Sequence, residues 1–308
     1  MNPKEKTIED ILWLEAHGQR LGLLPRLGGG VAAWQKVDGA KAVDLWRPWD
    51  GLHPDPVGLA SFPLVPWSNR IGQDGFEHDG RFHAIAQNRP DQRYPIHGDG
   101  WQQPWRVSAR GADMVSAFLM SRRFRGLPYD YDAEQRWQLQ PHGLDQTLRV
   151  THRGEGSLPY GLGLHPWLPR AAGTLLQAGV RGVWLSGADL LPTTHTTLLP
   201  EGWELPAGIP MQGGFIDNVF TGWDGRARVT WPDRGLALEM RMLPLQTPAG
   251  DVAPEYFHLY RPVAGDAFCI EPVTQVINAF HLEGRPGLVT LHPGESMSLH
   301  VQWRFSSV

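Results

Sequence analysis

Apolar and polar residues alternate with a period of two in several stretches of this chain. In Leu236–Met242, one parity carries Leu236, Leu238, Met240 and Met242, and the other carries Glu239 and Arg241. Arg226–Trp231 groups Ala227, Val229 and Trp231 opposite Arg226, Arg228 and Thr230. Near the end, Met297, Leu299, Val301 and Trp303 alternate with Ser298, His300 and Gln302. Strand side chains point alternately to opposite faces, so each stretch predicts a strand with one buried and one wetter face. Residues 144–150 and 114–124 follow the same rule less cleanly.

Helical signals are few. Thr7-Ile8-Glu9-Asp10 has the form of a helix cap, with Asp10 reaching back to Thr7. The next residues, Leu12-Trp13-Leu14, suit a strand equally well, and the pattern leaves that segment undecided. No long 3.6-residue period follows, and no alternation of strands with crossover helices is visible. The 36 glycines and 27 prolines are spread along the whole chain, which marks tight connections between short strands and not a disordered tract. Gly28-Gly29-Gly30 predicts a tight turn between two N-terminal strands, because glycine tolerates positive φ. No linker or composition shift divides the chain. The expectation is an all-β fold, one large antiparallel β-sandwich domain over residues 1–308.

Composition narrows the function classes. A chain of 308 residues buries most of its unfolded surface and needs no staple. The single Cys269 rules out an intramolecular disulfide. A net charge of −4 without a basic run argues against a nucleic-acid partner. The first twenty residues hold no apolar run suited to a signal peptide, and no stretch approaches the roughly 18 apolar residues of a membrane span. A cytoplasmic protein without a membrane partner is the expectation.

Candidate chemistry sits in short segments between the strand-like runs: Pro66-Trp67-Ser68-Asn69-Arg70-Ile71, Ile96-His97-Gly98-Asp99-Gly100-Trp101, Pro159 to Pro166, and Phe268-Cys269-Ile270-Glu271-Pro272. Flat aromatic faces and polar groups that bind hydroxyls are what a sugar ring asks of a protein. Among 13 histidines, His97 and His165 stand apart, because neighbouring glycines let the backbone turn closely and present the imidazole to a cleft. Glu271 lies in an apolar run and must be partnered, or its charged form is disfavoured. A buried salt bridge and a catalytic base are equal readings of it. Asp217, between apolar neighbours, reads by itself as a turn or Asx cap. Arg70 by itself is an ordinary ion-pair residue, and Trp67, Trp101 and Trp167 are equally good core residues.

Other chemistries lack their spacing. There is no paired Cys or HExxH run for zinc, no phosphate-binding glycine motif and no GxSxG elbow. Acid–base work without cofactor or metal is the chemistry left.

In their order, Asn69-Arg70-Ile71, His97-Gly98, Gly163-Leu164-His165-Pro166-Trp167, Asp217 before Phe220, and Cys269-Ile270-Glu271-Pro272 resemble the aldose 1-epimerases, the galactose mutarotases. The resemblance runs from about residue 60 to the C-terminus, with a weaker N-terminal part. It implies a supersandwich of antiparallel strands with an open sugar-binding cleft. It also implies Glu271 as general base and His165 as general acid, with His97, Arg70, Asp217 and Asn69 binding the sugar. Trp67 or Trp167 would cover an apolar sugar face. An ionised Glu271 and a protonated His165 would each favour the other's charge.

Two departures bear on substrate. Trp167-Leu168 stands where many relatives carry Tyr-Phe, and Arg261 replaces a common threonine. An Arg261 reaching the cleft would favour a phosphorylated or acidic sugar; otherwise it is a surface residue. The readings left open are a mutarotase for a free hexose, one for such an anionic sugar, and a sugar-binding protein without catalysis. A glycoside hydrolase would need a second carboxylate, for which only Asp217 offers itself.

Overall fold

The computed structural model describes residues 11–52 and 55–308. The alternating stretches are strands at the places the pattern predicts: Arg226–Trp231, Leu236–Met242, Gly143–His152 and Ser296–Ser307. Leu236, Leu238, Met240, Met242, Met297, Leu299, Val301 and Trp303 are all buried. The stretch 114–124 ends earlier than its pattern, at Arg122, because the chain turns through left-handed Arg123 and Arg125. The undecided Leu12-Trp13-Leu14 is a strand, Leu12–Ala16. The Thr7–Asp10 cap lies outside the described residues. Among the described residues the helices are single 3₁₀ turns.

Two large antiparallel sheets face each other across one apolar cluster. One has eleven strands and the other eight. The cluster joins Trp137, Leu148, Met240 and Trp303 of the first to Phe220, Phe257, Leu259, Phe268 and Ile270 of the second. An N-terminal four-stranded sheet packs Leu14, Leu21 and Trp34 into the same cluster. Its strands Gln19–Leu24 and Gly30–Asp38 are joined through the predicted glycine turn. Gly28 there has φ +66, and a Cβ on it would lie 2.1 Å from the Trp101 carbonyl oxygen. That turn therefore touches the loop bearing His97.

The eight-stranded sheet decides where the chemistry sits. Its centre is built from Ile216–Thr221, Tyr256–Arg261 and Ala267–Val273, paired antiparallel. Phe257, Leu259, Phe268 and Ile270 point into the inter-sheet core. The opposite parity therefore puts Asp217, His258, Tyr260, Cys269 and Glu271 on the other face. That face is covered by the loops around Asn69 and His97. Asp217 is therefore not the turn or Asx-cap residue its neighbours suggest: it lies inside a strand buried along its whole length.

Candidate active site

The covered face encloses a cavity of about 310 Å³ lined by Phe62, Asn69, Arg70, His97, His165, Trp167, Asp217, His258, Tyr260 and Glu271, with Arg89, Asp91 and Gln92 also in its wall. A larger groove of about 580 Å³ lies on the solvent face of the eleven-stranded sheet, among Arg226, Arg228, Glu239 and Arg304. Size alone would favour the groove. The cavity is the better candidate, because buried titratable groups converge there and perturbed groups in a cleft mark functional sites.

Strand register brings the groups together. Glu271 lies directly opposite His258, and Asp217 sits on the next strand opposite Tyr260, one diagonal step from His258. His258 Nε2 is 2.9 Å from Asp217 Oδ1 and 3.9 Å from Glu271 Oε1. On the other side of Asp217, Arg70 Nη1 donates to Oδ2 at 3.1 Å. Arg70 is held in turn by Asn69 Oδ1 at 3.1 Å and Gln92 Oε1 at 3.2 Å. His165 Nε2 reaches Glu271 Oε1 at 3.4 Å, and its ring stacks on Phe62 with centroids 4.5 Å apart. Glu271 Oε2 has no hydrogen-bond partner among the described residues.

The His97 loop is shaped by left-handed backbone. His97 (φ 64) and Gly98 (φ 67) turn consecutively, and Asn69 (φ 56) does the same on the facing loop. The two are tied together: His97 Nδ1 accepts the Asn69 backbone N–H at 3.0 Å. A neutral His97 therefore carries its proton on Nε2, as a donor in the cavity wall. Asp99 anchors the loop from behind, accepting from Tyr131 and Ser121 of the large sheet, each at 2.7 Å. A Cβ on Gly98 would lie 2.2 Å from the Val65 carbonyl oxygen. Gly98→Ala is expected to cost about 1–3 kcal/mol, from the clash and the left-handed φ together. Urea unfolding checks this, and a wild-type midpoint would contradict it.

Burial governs protonation. It raises Glu271, 2% exposed, to about 7, with His258 pulling the other way. It lowers His165 to about 3, with His258 adding to the effect. His97 is likewise held well below its ordinary value by burial. For Asp217, burial is outweighed by the His258 hydrogen bond and by the His258 and Arg70 charges, so its carboxyl sits below the usual range. For His258, burial is outweighed by Glu271 and Asp217, so its pKa is raised. The expected mutual charging of Glu271 and His165 is thereby corrected. Both are driven towards their neutral forms, because burial is the largest influence on each.

Most of the residues singled out from sequence meet here: Glu271, His165, His97, Arg70, Asn69, Asp217 and Trp167 line one cavity. Trp167 leans on His165 with centroids 5.5 Å apart and carries the Arg47 guanidinium over its ring at 5.1 Å. Trp67 is the exception and a correction. It is fully buried in the apolar core, 5.8 Å from Tyr129, and does not line the cavity. Arg261 is corrected on both of its readings. It is buried, donating to the carbonyls of Gly214 (2.8 Å) and Pro210 (2.9 Å), and it neither reaches the cavity nor lies on the surface. His258 was missed. It is one of 13 histidines and has no glycine beside it. Its alternation with Phe257 and Leu259 puts it on the polar face of a strand, but only the pairing with Glu271 gives that face a meaning.

A nitrogen of His165, the sulfur of Cys269 and an oxygen of Glu271 lie within 4.8 Å of one another. Cation binding would need thiolate and carboxylate. Burial holds the Cys269 thiol well above its ordinary pKa and raises Glu271. Among the described residues no helix is long and apolar enough to cross a membrane.

Comparison with known proteins agrees with this architecture. The Escherichia coli K12 protein YphB, itself uncharacterised, is 32% identical over 252 residues, which cover 79% of this chain and 83% of YphB. A candidate aldose 1-epimerase from Escherichia coli K12 superposes with a TM-score of 0.87 at 26% identity, covering 97% of this chain and 99% of that one. Galactose 1-epimerase from Lactobacillus acidophilus NCFM shares the fold at 14% identity, with a TM-score of 0.72 and coverage of 96% and 94%. The sequence profile of the aldose 1-epimerases matches residues 14–304. With that match spanning nearly its whole length, the chain belongs to the aldose 1-epimerase family.

Proposed function

We propose that this protein is an aldose 1-epimerase that interconverts the α and β anomers of a free aldohexose without a cofactor. The observation that carries the reading is the buried Glu271–His165 pair, 3.4 Å apart in a small polar cavity. Anomer exchange requires opening the ring, rotating about C1–C2 and closing on the other face of the aldehyde. Glu271 takes the proton of the anomeric hydroxyl while His165 gives one to the ring oxygen. No free alkoxide forms, and closure reverses the two transfers. Glu271 Oε2, lacking a protein partner among the described residues, is the natural acceptor for the sugar hydroxyl.

The pair works with one proton between its two members. With the ring closed, that proton is on His165; once it is open, the proton has moved to Glu271. Burial favours the second arrangement, with both groups neutral, so the site's electrostatics match the open-chain stage. His97 and Arg70 donate to sugar oxygens, Asp217 accepts from a hydroxyl, and Trp167 covers an apolar ring face. A volume of about 310 Å³ is at the small end of ligand sites, which suits a monosaccharide. Each cavity-wall arginine already has a carboxylate: Arg70 has Asp217 at 3.1 Å, and Arg89 has Asp91 at 2.5 Å. A neutral polyol therefore fits better than an anionic sugar. A cytoplasmic site of action is part of the same proposal.

Polarimetry of freshly dissolved α-D-glucose and α-D-galactose tests the reading, with spontaneous mutarotation subtracted. Acceleration by the protein is expected. Its kcat/KM should fall about tenfold per pH unit as pH rises above about 7, where the pair loses its single proton from Glu271. Folded protein that binds either sugar without accelerating exchange would establish a binding role instead.

A further inference from the structure

We propose that His258, held by Asp217, is a positioning residue that sets how readily Glu271 takes a proton. The inference rests on the reading of Glu271 as the general base. Its ground is geometric. His258 and Glu271 occupy directly opposite positions on paired strands, both face the cavity, and their nearest polar atoms are 3.9 Å apart. Asp217 fixes the imidazole through Nε2 at 2.9 Å and is itself clamped by Arg70 at 3.1 Å. The row Arg70–Asp217–His258–Glu271 therefore alternates basic and acidic side chains from one neighbour to the next.

Consider what surrounds the Glu271 carboxyl. On its own strand lies Cys269, whose thiol burial keeps protonated. The strand Tyr256–Arg261 contributes His258 and Tyr260, and the strand Ile216–Thr221 contributes Asp217. His165 faces it from beside Phe62 and is driven neutral by burial. Arg70 stands behind Asp217, which compensates its charge. Asp217 itself opposes a second negative charge. A charge on His258 is thus the main local influence drawing Glu271 towards its ionised form, against burial. A base that must take and return a proton in each cycle works best with a pKa near the working pH. Burial alone would carry Glu271 past that point.

The test reads protonation directly. In protein carrying ¹³C-labelled glutamate carboxyls, the Glu271 signal is identified by its loss in Glu271→Gln and followed against pH. In His258→Gln its titration midpoint should rise by one pH unit or more, a tenfold or greater gain in proton affinity. An unchanged or lower midpoint overturns the proposal. The wild type supplies a second measurement should that variant fold poorly. With ¹⁵N-labelled histidine, the His258 ring should show both nitrogens protonated at pH 6, and a singly protonated ring there would equally overturn it. Kinetics separate tuning from mere scaffolding. The alkaline limb of kcat/KM should move up with the midpoint in His258→Gln and return towards wild type in His258→Lys. A uniform loss at every pH would mark His258 as structural and refute the proposal. Because the NMR midpoints need no turnover, an inactive wild type with the expected shift would defeat only the epimerase reading. Active wild type without the shift would defeat only the role of His258.

Discussion

Replacing Glu271 by Gln is expected to lower anomer exchange by about 10²–10⁴-fold, the usual contribution of a positioned proton-transfer group, while the protein stays folded and still binds sugar. Glutamine keeps the size of the side chain and can still donate to or accept from a hydroxyl, but it cannot hold the proton that must move. The measurement is polarimetry of wild type and variant on the same sugar, with binding followed separately. A variant within a few-fold of wild type would remove Glu271 from the mechanism.

The same substitution should stabilise the protein at alkaline pH. Glu271 has a folded pKa of about 7, above the ordinary value of 4.5 for its carboxyl. Between those values the folded state binds more protons than the unfolded state, so stability from this group is present at low pH and is lost as pH rises through about 7. Glutamine carries no such loss. Its advantage over glutamate should therefore be absent near pH 4 and reach at most about 3 kcal/mol above pH 8. Urea unfolding at the two pH values checks it; an equal effect at both would contradict the assignment of a buried, proton-hungry carboxyl. In this reading the site holds an expensive group for its chemistry, a common conflict between stability and activity.

The second large effect is expected at Asp217. Its carboxylate joins Arg70 at 3.1 Å and His258 at 2.9 Å, with every member of the trio buried. Asp217→Ala leaves the Arg70 guanidinium and the His258 imidazole in the interior without their common partner. Breaking a buried pair in this way costs about 3–5 kcal/mol. The loss should show as a lower urea midpoint with an unchanged slope. A midpoint within about 0.5 kcal/mol of wild type would mean that the trio is solvated or contributes little. The wild-type contribution has its own pH signature. Asp217 has a depressed pKa, so its contribution is present above the ordinary carboxylate range and disappears as pH falls through its folded value.

Much of the fold could be read from local pattern because sheet faces differ in solvation. Leu236, Leu238, Met240 and Met242 had to share a face whatever the topology, and the same holds for Met297 to Trp303. The residues that line the cavity were legible for another reason: loops such as Asn69-Arg70 and His97-Gly98 carry short, ordered combinations of residues that resemble those of a known family. Trp67 and Trp167 show where that kind of reading stops. Both tryptophans sit in motif segments, yet one fills the core and the other walls the cavity. Which one does which depends on the direction each short segment takes between the sheets.

Alternation, turn residues and motif order thus determined by themselves that the chain is all-β and which family it resembles. These are properties of segments a few residues long, and they survive in a one-dimensional reading. Only the tertiary structure decided that Asp217 is a strand residue, that His258 stands opposite Glu271, that Arg261 serves backbone carbonyls, and that Glu271 and His165 favour neutrality. Each of these depends on which strands become neighbours, in what register, and how much water is left between them. Cross-strand distance and desolvation are created by folding, and no local stretch of sequence contains them.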